Sequence, residues 1–155
     1  MLQTAMPLPA RQSSVIWLAC LCLLAPFGLN AVVAVGWVVV PGALPTPRQL
    51  LVMLIAAPII EELVFRGHMQ PWLTTHFAGK AAAGQKAHAA AIAATSLVFV
   101  ALHWLANPTP VMGWVALLSV ALGVLQAKGG RWQLCALLHS SFNAVWCWTI
   151  WLQAR

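Results

Sequence analysis

Glu61 and Glu62 are the only acidic residues in a chain of 155, and they stand side by side directly after the apolar run LLVMLIAAPII. A charged group at the centre of a membrane span costs at least about 2.5–3.5 kcal/mol and persists where it is paired, wetted or used. Arg66 follows Glu62 by four residues, the spacing that stacks two side chains on one helix face for an ion pair. Glu61 lies about 100° around the helix from Glu62, so Arg66 does not obviously neutralise it. One carboxylate has a built-in partner and the other is left open. A carboxylate without a cation in apolar surroundings is the stronger base, which suits it to take a proton from water. The competing reading is a purely structural Glu–Arg pair that locks helices together. Pro58, one turn before Glu61, removes a backbone donor; it is expected to leave the carbonyl of Leu54 unpaired and to admit water beside Glu61.

Two histidines interrupt other apolar segments. His103 lies in LVFVALHWL, four residues after Phe99, and His139 lies in LCALLHSSFNAVW, four residues before Asn143. The latter spacing puts His139 and Asn143 on one helix face, where the amide can orient the imidazole or help bind an oxyanion. A lone histidine in a span is often only an interhelical hydrogen bond. Two of them with an open glutamate, on three different helices, supply parts for activating water: a base, and groups that bind or protonate a carbonyl. His68, His76 and His88 lie in or near a polar connection and are read as interfacial, without a role. Ser140 and Ser141 lack any nucleophile-elbow or SxxK context.

Positioning these residues requires helices. A spanning helix needs about 20 mostly apolar residues, and five candidates occur: about 14–40, 48–75, 89–106, 111–127 and 132–152. The first holds Pro26 and Gly28 and is expected to kink; its apolar run is too long for a signal-peptide core, so it is read as an uncleaved span. PGALPTPR, FAGKAAAGQKAH, NPTP and KGGR separate the spans. The expectation is an all-α, polytopic membrane bundle of about five transmembrane helices forming one domain over residues 1–155. Straight helices with these ends would not bring Glu61, His103 and His139 to one depth, so tilt, the Pro58 kink or different ends must reconcile them.

Composition agrees with a membrane class. Charged residues are 6% of the chain and hydrophobic ones 62%, with a mean hydropathy of +0.86, against about 25% and 45–50% in soluble domains. The formal charge of +6 is scattered singly and forms no nucleic-acid-binding cluster; the lipid bilayer is the expected partner and nucleic acid is not. Arg11, Lys80, Lys86, Lys128 and Arg131 fall on one side of the five-span topology, Arg48 and Arg155 on the other. The positive-inside rule then puts the N-terminus in the cytoplasm and the C-terminus opposite, in a cell (inner) membrane. Cys20, Cys22, Cys135 and Cys147 show no CxxC spacing, which argues against a zinc knuckle or redox pair. Nine tryptophans and no tyrosine include several near the ends of apolar runs, as in an aromatic belt.

With these residues in hand, the chain resembles the CPBP family of CAAX proteases and bacteriocin-processing (Abi-type) enzymes. Three motifs carry the resemblance in order: EExxxR as Glu61 to Arg66, extended by Gly67; FxxxH as Phe99 to His103; HxxxN as His139 to Asn143. They span roughly residues 50–150. The resemblance implies an integral-membrane endopeptidase acting on a membrane-associated protein or peptide. It implies Glu61 as general base, His103 holding the water or stabilising charge, and His139 with Asn143 as the oxyanion-stabilising pair. Glu62, Arg66 and Phe99 would support them. No cofactor and no metal is expected, since HExxH is absent and asparagine is a poor zinc ligand; zinc at Glu61, His103 and His139 stays open. The chain is shorter than typical members, which leaves its oligomeric state and substrate gating unassigned. A proton-relay transport module and a catalytically silent immunity or interaction subunit are the alternatives.

Overall fold

The computed structural model describes residues 44–79, 84–106, 108 and 112–154; the expected first span, 14–40, lies outside them. Every element among the described residues is helical. We label them α1 (residues 47–78), α2 (Gln85–Ala106), α3 (Met112–Ala127) and α4 (Trp132–Gln153). Their ends fall within a few residues of the expected second to fifth spans.

Local chemistry sets these ends. Thr46 caps α1 in a reciprocal box: its hydroxyl accepts from the Gln49 N–H, the Gln49 side chain accepts from the Thr46 N–H, and Pro47 follows at the first helical position. Gly79 ends α1 with φ of 59°. The turn after α3 needs glycine twice. Gly129 has φ of 97°, and its N–H donates to the Gln126 carbonyl while Gly130 N–H donates to the Leu125 carbonyl, a Schellman closure. A Cβ on Gly130 would stand 2.8 Å from that Leu125 oxygen.

Helix α1 is not uniform. It passes through two π-helical stretches, Val52–Ala56 and Leu63–Met69, on either side of the segment Ala57–Glu62. Each ends just before a helical segment with proline in its first turn, Pro58 and Pro71. In the first, the Ala57 N–H donates to the Val52 carbonyl, five residues back. The carbonyl next in that register is Met53, whose partner would be residue 58, and proline has no N–H to give. The Met53 carbonyl is therefore left without a backbone donor in that register.

Leu118, Leu122 and Leu125 of α3 pack on Cys135 and Leu138 of α4, and the Cys135 thiol donates to the Leu122 carbonyl at 3.7 Å. Gln70 of α1 donates to the Gly123 carbonyl of α3 at 2.8 Å. A Cβ on Gly123 would lie 3.0 Å from Ile92 and 3.1 Å from the Gln70 amide oxygen, so α1, α2 and α3 meet there with no space for a methyl group. Outward, the helices expose Ile55, Ile60, Val64, Leu97, Leu102, Leu105, Leu137 and Trp148. Among the described residues, Gln85–Ala106 is long and apolar enough to cross a membrane, with a mean hydropathy of 1.9.

Candidate active site

The depth conflict posed by straight spans disappears once the helices are measured from their shared turns. Glu61 lies 17 residues before the end of α1, and His103 lies 18 residues after the start of α2. An antiparallel hairpin therefore sets them level. Helix α3 is six residues shorter than α2 (16 against 22), so the turn into α4 is recessed. Gly67 marks the level: its missing Cβ would lie 3.5 Å from the Trp132 ring. Glu61 is six residues back from Gly67, and His139 is seven residues on from Trp132. Running in opposite directions, the two helices bring both side chains to the same height.

The site is built on a buried base. Glu62 and Arg66 are fully buried. The Arg66 Nη1 donates to Glu62 Oε1 at 3.1 Å, as the four-residue spacing required. The other guanidinium nitrogen, Nη2, donates to the backbone carbonyl and hydroxyl of Ser119 on α3 at 2.8 and 2.7 Å. The Arg66 guanidinium also lies 4.8 Å from the centre of the Phe99 ring, within cation–π range. Glu62 Oε1 accepts a second hydrogen bond, from His139 Nδ1 at 2.9 Å. The chain Ser119–Arg66–Glu62–His139 thus ties α3, α1 and α4 together.

That chain fixes the imidazole. With Nδ1–H held by the carboxylate, His139 directs Nε2 at Glu61, 3.8 Å from its Oε2. His103 does the same from α2. Its Nδ1 lies 2.9 Å from the Phe99 carbonyl; a carbonyl only accepts, so Nδ1 carries the hydrogen. Nε2 is then directed at Glu61 Oε2, 3.9 Å away. Phe99 stacks on the His103 ring at 4.3 Å and meets His139 edge-on at 5.9 Å. Neither 3.8 nor 3.9 Å is a direct hydrogen bond. Glu61 Oε2 is a buried atom that takes no hydrogen bond from the described residues, although the side chain as a whole is 29% exposed. His103 is 32% exposed and His139 only 5%, so the site opens along Glu61 and His103.

Asn143 is close by but otherwise engaged. Its Nδ2 donates at 2.7 Å to the Met53 carbonyl, the one orphaned by the π stretch and Pro58. Of the residues expected from sequence, Glu61, His103 and His139 converge on one point. Glu62, Arg66 and Phe99 surround it, and Asn143 binds α4 to α1 beside it. The His68 Nδ1 donates to the Leu63 carbonyl at 2.8 Å, and His76 stacks on Trp72; neither reaches the site.

Sequence reasoning missed Ser119. Its signal was present, as a hydroxyl inside the apolar run VALLSVALG. Ser119→Ala removes one of the two acceptors on Arg66 Nη2 and is expected to cost about 1.5–3 kcal/mol of stability, the range for a hydrogen bond to a charged group. Thermal unfolding in detergent reads it; an unchanged midpoint would mean the backbone carbonyl alone holds Arg66.

With the geometry in place, the comparisons decide the family. The model of the type II CAAX prenyl endopeptidase Rce1-like family matches residues 43–145, a stretch that contains all three motifs. The chain belongs to this family. No curated protein and no solved structure matches the chain significantly. As a CAAX-protease family member it falls among membrane-associated proteases, which agrees with the apolar exterior of its helices.

Proposed function

We propose that this family member is a multi-pass membrane endopeptidase in which Glu61 activates water to hydrolyse a peptide bond of a membrane-associated protein or peptide. The observation that carries the reading is the convergence of His103 Nε2 and His139 Nε2 on Glu61 Oε2, at 3.9 and 3.8 Å, an oxygen that takes no hydrogen bond from the described residues. Those separations are too long for direct bonds and suit a water shared among the three groups. Glu61 takes a proton as the water oxygen attacks the scissile carbonyl carbon, and His103 Nε2 accepts the other water hydrogen and holds the nucleophile. His139, protonated on Nε2, donates to the developing oxyanion. Its imidazolium is stabilised at Nδ1 by Glu62, as a buried carboxylate supports a catalytic histidine in hydrolytic triads. Collapse breaks the C–N bond, and Glu61 returns its proton to the leaving amine.

No metal or cofactor is invoked. The five-span topology, with the N-terminus in the cytoplasm and the C-terminus opposite, belongs to the same proposal and rests on the distribution of Lys and Arg.

The test is the purified protein in liposomes with a panel of lipid-anchored peptides, followed by mass spectrometry, with proton flux recorded in parallel. A defined peptide product that depends on the protein is expected. Flux without product would replace the protease with the transport reading. Neither signal, from protein that still protects or assembles in cells, would replace it with the silent immunity or interaction subunit.

A further inference from the structure

We propose that α1, α2 and α3 enclose an internal water site behind the Arg66–Glu62 pair, held by Arg66 Nε, Gln70 Oε1 and the hydroxyls of Thr95 and Ser96. The inference goes beyond the proteolytic reading, and its test needs no turnover. Each of these four atoms is buried and makes no hydrogen bond with the described residues. The residues that carry them are buried as well: Arg66 fully, Thr95 to 1% exposure, Gln70 to 2% and Ser96 to 6%. Leaving such groups unmet is costly. Other helical hydroxyls turn back on their own helix, as is usual. Thr74 donates to the Gln70 carbonyl, Thr75 to that of Trp72, Ser141 to that of Leu137 and Thr149 to that of Val145. Thr95 and Ser96 make no such bond, although both lie deep inside the bundle.

The four atoms share one stretch of the helix junction. The Arg66 guanidinium meets the Phe99 ring at 4.8 Å, and one turn further along α1 Gln70 donates to the Gly123 carbonyl at 2.8 Å. Ile92 of α2 lies against Gly123, 3.0 Å from where a Cβ would stand. Thr95 and Ser96 follow Ile92 by three and four residues and precede Phe99 by four and three, the spacing of one helix face. Phe99 therefore closes the site on the side of Glu62, and the Gly123–Ile92 contact closes it on the other. The chemistry selects water. Arg66 repels a cation and Glu62 repels an anion. One N–H donor, one amide oxygen and two hydroxyls that can do either suit a small neutral molecule that both donates and accepts. A buried water makes about three hydrogen bonds, so about one or two waters satisfy the set. Arg66 is then held at all three nitrogens: Nη1 on Glu62, Nη2 on Ser119 and Nε on water. Through Glu62 that anchorage reaches His139.

Two measurements on the full chain test this, and the proposal needs both. The first is a crystal structure of the native protein from a lipidic phase, at a resolution that shows ordered water. Density is expected within hydrogen-bond distance of Arg66 Nε, shared with Gln70 Oε1 and at least one of the two hydroxyls. A dry Arg66 Nε, with Thr95 and Ser96 turned back on the carbonyls of Ala91 and Ile92, overturns it. The second is a melting cycle in detergent with the near-isosteric changes Thr95→Val and Ser96→Ala. Each alone is expected to lower the melting temperature by about 2–4 °C, the shift for one lost hydrogen bond in a protein of this size. Together they should cost clearly less than the sum, because both hydroxyls hold the same water and it is lost once. Additive losses are the signature of two independent bonds to the helix backbone and overturn the proposal. So does an unchanged or raised melting temperature in the single variants, since removing a hydroxyl that has no partner relieves its burial. A native protein without protease activity would sink the functional reading and leave the water site to stand or fall on these two results.

Discussion

Replacing Glu61 by glutamine is expected to abolish cleavage while leaving the protein folded. Glutamine matches the shape of glutamate and cannot take a proton from water at neutral pH. Loss of a positioned general base costs about 10²–10⁴-fold in rate, and the base here is also the return path for the proton to the amine. Stability should hold, because Glu61 Oε2 makes no hydrogen bond with the described residues and its two histidine neighbours stand 3.8 and 3.9 Å away. Glu62→Gln behaves differently. Glu62 is fully buried and accepts from both Arg66 and His139, so the amide weakens the fold and the support of the His139 imidazolium together. Product formation and thermal unfolding, measured on both variants, separate the two carboxylates. Full cleavage by Glu61→Gln would remove Glu61 from the reaction; an unfolded Glu61→Gln would make it part of the frame.

Arg66→Met should produce the largest loss of stability. Methionine fills part of the space and leaves the Glu62 carboxylate buried without its cation, together with unmet acceptors on Ser119. Breaking a buried pair by removing one partner costs about 3–5 kcal/mol, whereas removing both charges is often far milder. Arg66→Met with Glu62→Leu is therefore expected to recover much of the lost stability and none of the activity, since His139 then has no support at Nδ1. Arg66→Lys should fall between. A single ammonium cannot reach Glu62 and the Ser119 pair in the divided geometry of the guanidinium. Thermal or chemical unfolding in detergent reads all three, and an Arg66→Met variant as stable as the native protein would show that the pair is dispensable.

Much of this frame is legible in the amino-acid sequence. The apolar runs locate α2, α3 and α4 to within a few residues, because NPTP, KGGR and the polar connection ahead of α2 mark where these helices begin and end. The i, i+4 spacing of Glu62 and Arg66 requires their ion pair, since that contact is set by helix geometry alone. The same rule places Glu61 off to one side. The π stretches are not legible, and with them goes the Met53 carbonyl, which the widened register leaves to the Asn143 amide. Propensity and apolar period do not distinguish an α from a π hydrogen-bond register when the stretch is held by tertiary contacts.

The sequence by itself determined which groups are available: two adjacent carboxylates, one with its cation four residues away, and two histidines on separate apolar helices. Local spacing suffices for that, because residues within a few positions of one another have their geometry dictated by the helix. The tertiary structure alone decided how they meet. The shortness of α3 recesses the α3–α4 turn, and Gly67 against Trp132 sets the level at which α4 begins. Ser119, 53 positions from Arg66, completes the buried network, and Asn143, 90 positions from Met53, takes up the backbone gap. Contacts at such separations depend on helix lengths, crossing and register acting together, and no local pattern in the chain encodes them.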